Sequence, residues 1–114
     1  MIEYNTLKIE EYISILESVE WKIPPLRLLK ISLEKGINVK YIVDEKIVGM
    51  ARFVTDGGYA GLIMDVVVIP EYQGKGYGRL LIEALLNKIK EGLLEGEEVM
   101  IQLLSAPGKQ SFSI

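Results

Sequence analysis

With 114 residues, 49% of them hydrophobic and 25% charged, the chain has the composition of one folded domain, 1–114, and not of a disordered segment. A net charge of −3 with scattered basic residues leaves no footprint for nucleic acid. Lacking cysteine and histidine, it has no disulfide, no thiolate chemistry, no expected metal site and none of the commonest general base. No apolar run nears the ~18 residues of a membrane span, so no membrane partner and a cytoplasmic location are expected.

In chain order, residues 2–5 read as a short strand, and Thr6 is placed to cap a helix. Ile9, Tyr12, Ile13, Leu16 and Val19 recur at helical spacing, with Glu10 and Glu11 near the positive end of its dipole. "KIPPLR" interrupts the chain, and Pro25 can open a second helix through Leu26, Leu29 and Leu33, ending near Gly36. Ile37, Val39, Tyr41 and Val43 alternate on one side of a strand, and "DEK" at 44–46 forms a hairpin turn. "IVGMARFVT" runs back, "DGG" at 56–58 turns again, and a third long strand occupies about 60–69. A helix over 79–91 and a strand over 99–104 complete the pattern. The order strand, glycine loop, helix, strand predicts a parallel βαβ crossover.

The junction "VVVIPEYQGKGYGRLL" at 66–81 carries the chemistry. Gly74, Gly76 and Gly78 fall where a buried strand becomes a helix, so a ligand can approach backbone N–H groups at a helix N-terminus. Lys75 and Arg79 add positive charge, and a phosphate-bearing ligand is the natural occupant. The phosphate loop of nucleotide triphosphatases fails on spacing, because Gly76 and not Ser or Thr follows Lys75. The dinucleotide fingerprint fails too, since Gly-x-Gly-x-Gly replaces Gly-x-Gly-x-x-Gly.

The stretch resembles the acetyl-coenzyme A signature of the GNAT superfamily of N-acetyltransferases: Gln or Arg, two residues, Gly, one residue, then Gly or Ala. Gln73, Gly76 and Gly78 fill it, and the element order is similar over most of 1–104. The resemblance implies a mixed α/β (α+β) fold, with a mostly antiparallel sheet, helices on both faces and the parallel crossover at the loop. It also implies that the amides of Gln73, Gly74, Lys75, Gly76, Tyr77 and Gly78 hold the cofactor pyrophosphate, with Arg79 beside them. The segment Val66, Val67 and Val68 would bind the pantetheine arm, the backbone of Val66 and Val68 pairing with it like an added strand. The implied activity is acetyl transfer from acetyl-CoA to a primary amine, small-molecule or peptide.

Such transfer needs an amine without its proton, close approach to the thioester and a donor for the oxyanion. Asp65, at the head of the pantetheine segment, is the candidate base, with a bulge cap or a solvent-facing residue as the plainer reading. Trp21 and Ser105 are candidate substrate contacts, Trp21 equally a core residue. The family usually continues through a segment of the type F-Y-x-K-x-G-F. Phe112 matches its start, and Ser113 and Ile114 follow. The closing helix and strands, with the tyrosine that commonly protonates the thiolate, are therefore expected to be missing. Two expectations follow: a homodimer covering the edge of strand 99–104, and a catalytically impaired acyl-CoA-binding remnant as the alternative function.

Overall fold

The computed structural model describes residues 1–104; Ser105 and the segment ending in Phe112, Ser113 and Ile114 lie outside them. Among the described residues, strand β1 (Ile2–Tyr4) leads into helices α1 (Ile9–Ser18) and α2 (Leu26–Glu34). Strands β2 (Ile37–Val43), β3 (Lys46–Thr55) and β4 (Ala60–Val68) follow, then a 3₁₀ turn at Pro70–Tyr72, helix α3 (Tyr77–Glu91) and strand β5 (Met100–Leu103). The sheet runs β1-β2-β3-β4-β5, antiparallel except for the parallel β4–β5 pair. That parallel pair is the crossover the glycine junction predicted.

Alternating strand residues separate two cores. Val39, Ala51, Phe53, Ile63 and Val66 face α3, which buries Leu81, Ile82 and Leu85 against them. Each such side chain is worth roughly 1.5–3 kcal/mol when fully buried. On the opposite face Val48, Met50, Val67 and Ile69 meet Tyr12, Ile15, Leu16 and Leu29 from α1 and α2. Helices therefore cover both faces of the sheet.

The local chemistry departs from the sequence reading at identifiable points. Thr6 does not cap α1: its hydroxyl donates to Glu3, and the Lys8 N–H at the helix start donates to Glu11 at 2.8 Å. The β2–β3 turn has two central residues, Asp44 and Glu45, with φ of 50° and 64°, the left-handed pair that matches strand twist. The expected alternation of β2 holds through Tyr41 and then reverses. Tyr41 pairs with Gly49 but Ile42 with Ile47, so Val43 joins the α1 face instead of the α3 face. Helix α3 begins at Tyr77, two residues earlier than its apolar periodicity predicted.

Candidate active site

A second bulge organises the site. Met50 pairs with Val67 but Arg52 with Met64, so two residues of β4, Asp65 and Val66, oppose Ala51 alone. Asp65 adopts φ of 57°, a left-handed conformation unusual for a side-chain-bearing residue. The bulge shifts the period of β4: Ile63 and Val66, three apart, both face α3. It also decides where the backbone points. The Ile69 N–H donates to Val48 of β3, so by alternation Val66 and Val68 direct their N–H and C=O groups away from β3.

On that outer side β5 pairs with β4 only through Ile63, to which the Leu104 N–H donates. Among the described residues no strand pairs with the outer edge of β4 from Met64 to Val68. The Val68 carbonyl there accepts from the Gln73 side-chain amide at 2.8 Å. Gln73 thus ties the glycine loop to the strand that precedes it.

The loop itself is built around two left-handed glycines, Gly74 at φ of 77° and Gly76 at 90°. A Cβ at either would meet nothing within 4 Å, so they satisfy backbone angle and ligand access, not packing. Among the described residues the N–H groups of 74–79 donate to no oxygen, leaving a row of free donors at the α3 N-terminus. The loop is anchored from below by aromatic rings. Tyr77 meets Tyr41 and Tyr72 edge-on at centroid distances of 4.8 and 5.7 Å. Lys75 lies 5.3 Å above the Tyr72 ring, and Lys46 pairs with Glu71 at 3.2 Å.

At the bulge, Asp65 Oδ2 receives Arg52 Nε at 2.7 Å, Arg52 Nη2 at the same distance, and the Tyr12 hydroxyl. The Arg52 guanidinium also lies 5.5 Å from the Tyr12 ring centroid. Burial, then the Asp65 carboxylate, push the Tyr12 hydroxyl well above its ordinary value of 10.0, against the opposing Arg52 charge. Tyr12 therefore stays a neutral donor at any physiological pH. Asp65 Oδ1 enters none of the hydrogen bonds or ion pairs of the described residues.

The structure thus strings Asp65, Val66, Val67, Val68, Gln73, Gly74, Lys75, Gly76, Tyr77, Gly78 and Arg79 along one edge and its adjoining loop. Trp21 is half-buried in the α1-side cluster that includes Tyr12 and Val67, and its backbone N–H donates to the Leu16 carbonyl. Ser105 falls outside the described residues. Sequence reading missed Arg52 and saw Tyr12 only as one position of a helical stripe. Arg52 could have been found as the lone charge inside "VGMARFV", on the face shared with Met50.

An open strand edge leads into a free N–H row at a helix N-terminus, a geometry complementary to an extended ligand with an anionic head. Residues 6–104 match the Acetyltransferase (GNAT) family, and the chain belongs to it. It is 30% identical over 113 residues to the uncharacterized N-acetyltransferase ycf52 of Pyropia yezoensis, covering 95% of this chain and 63% of that protein. A probable acetyltransferase of Staphylococcus aureus superposes with a TM-score of 0.74 at 25% identity, over 95% of this chain and 82% of that one. A GNAT-family acetyltransferase of Streptococcus pneumoniae shares the fold with a TM-score of 0.75 at 24% identity, over 93% of this chain and 75% of the other.

Proposed function

We propose that the chain binds acetyl-coenzyme A along the β4 edge and glycine loop and takes part in acetyl transfer to a primary amine. The observation that carries this reading is the row of unpaired N–H groups at 74–79, continuous with the open edge of Val66 and Val68. Family membership and the named N-acetyltransferase relatives support the same class of reaction.

The donor set fits the group. Free amides, the α3 dipole, Lys75 and Arg79 complement a pyrophosphate, and the outward backbone of Val66 and Val68 complements an amide-bearing arm. When bound, the cofactor supplies a thioester whose carbonyl carbon takes up the amine nitrogen as its carbon–sulfur bond breaks. The Val66 N–H, facing the open edge, is the donor available to the carbonyl oxygen. Asp65 Oδ1 is the carboxylate oxygen available to take the amine proton, because Oδ2 already accepts from Arg52 Nε and the Tyr12 hydroxyl and lies against Arg52 Nη2. The leaving sulfur needs no dedicated acid, since its thiol has a pKa of about 8.5 and water can return the proton.

Calorimetric titration with acetyl-coenzyme A, on wild type and on Gly76→Glu, tests the reading. Wild type is expected to bind, and the variant, with a carboxylate placed in the anion cradle, to lose at least about tenfold in affinity. An amine screen with thiol release as readout then follows. Failure of wild type to bind overturns both the transferase and the binding reading; binding without thiol release from any amine leaves an acyl-CoA-binding domain.

A further inference from the structure

We propose that Arg52 and Tyr12 are positioning residues for the cofactor's pantetheine arm, acting through Asp65; this rests on the acyl-coenzyme A reading above. Without the extra residue at 65–66, β4 would keep the register that puts the Ile63 carbonyl on the outer side, bonded to Leu104. Asp65 and Val67 would then present their amides to the open edge, and Val66 and Val68 would turn inward to β3. The bulge exchanges these roles. The outward pairing groups beside the glycine loop therefore exist because Asp65 holds a left-handed backbone.

That conformation is unfavourable for an aspartate, and glycine is the residue that adopts it freely. Here it is held from the side chain. Arg52 donates its Nε–H to one carboxylate oxygen, with Nη2 in ion-pair contact, and Tyr12 donates its hydroxyl to the same oxygen. Arg52 extends from β3, next to the Ala51 that opposes the bulge, and Tyr12 from α1, so two elements fix the one residue from different directions. The network is buried: Tyr12 is 2% exposed and Arg52 8%. Its hydroxyl remains protonated for the reason already given, so this donor persists across the working pH range.

The glycine loop has anchors of its own, the Tyr41, Tyr72 and Tyr77 rings and the Lys46–Glu71 pair, beside the Gln73 tie to the Val68 carbonyl. None of those rings and neither member of that pair belongs to the bulge network. Removing Arg52 should therefore damage the arm's site far more than the headgroup's site. A general loss of structure would weaken both together.

The experiment compares two ligands by calorimetry: acetyl-coenzyme A, and 3′-phosphoadenosine 5′-diphosphate, which carries the headgroup without the arm. Wild type should prefer the whole cofactor. In Arg52→Met the acetyl-coenzyme A affinity should fall at least about tenfold, with a much smaller change in headgroup affinity and the preference gone. Arg52→Lys, which returns the charge without the fork, should recover part of it. Tyr12→Phe, which keeps the ring and removes one donor, should give an intermediate loss and serves as the deciding variant if Arg52→Met does not fold. A preference unchanged in these variants overturns the proposal, as does an equal weakening of both ligands. Wild type binding neither ligand would instead overturn the acyl-coenzyme A reading on which it rests.

Discussion

Asp65 concentrates the residue-scale physics. One of its oxygens anchors the bulge and the other is open, so a single side chain is assigned two tasks. If Oδ1 takes the amine proton, Asp65→Asn should lower kcat by about 10²–10⁴. Retention of kcat would assign the proton to another acceptor. Tyr12 offers a check that needs no substrate. Its hydroxyl should be missing from the ordinary tyrosinate transition near 10.0 when absorbance at 295 nm is followed, and Tyr12→Phe should leave that transition unchanged. The same variant should cost about 1–2 kcal/mol of stability, read by urea unfolding, because it leaves a buried carboxylate one donor short. Asp65 was legible as a carboxylate at the head of the 66–68 strand segment. Its partners were not, because an ion pair between residues 52 and 65 depends on strand register, which composition does not encode.

At the scale of elements, turns and glycines were readable from local chemistry alone. The "DGG" turn is closed by Asp56 Oδ1 accepting from the Gly58 N–H at 2.8 Å, as a short polar side chain in that position predicts. The early start of α3 was less legible, since Tyr77 and Gly78 carry little of the apolar period that marks a helix. Gly61 shows a constraint invisible in sequence. A Cβ there would sit 2.3 Å from Phe53 Cζ and 2.8 Å from the Val54 carbonyl oxygen, because the Phe53 ring lies over the strand at this point. Gly61→Ala is expected to lower stability by roughly 1–3 kcal/mol, seen as a reduced urea midpoint. Adding Phe53→Leu should recover part of that loss by clearing the ring, and a fully additive double variant would disprove the steric account.

For the molecule as a whole, acid stability should be governed by the other buried charge. Lys40, 5% exposed, pairs with Glu11 at 2.9 Å and also donates to the Thr6 carbonyl at 3.0 Å. Burial raises the Glu11 carboxyl, but the Lys8 amide and the Lys40 ammonium outweigh it and hold it below its ordinary 4.5. Because the folded value is the lower one, this contribution is fully present above pH 4.5 and is lost as pH falls through the depressed value. Thermal midpoints should therefore drop below that pH, and Glu11→Gln should flatten the drop while lowering stability near neutrality by about 1–3 kcal/mol. A pH dependence identical in wild type and Glu11→Gln would disprove this assignment.

The sequence by itself determined the strand–loop–helix–strand order, the parallel crossover and the place of the glycine loop. Each is a local property of apolar period and glycine position. Only the tertiary structure decided which backbone groups of β4 face outward, because that depends on a bulge set by pairing with β3. It also decided that Arg52, Tyr12 and Asp65 meet. Residues 12, 52 and 65 come from three elements, and only the packing of α1 on the sheet brings their polar ends to one oxygen.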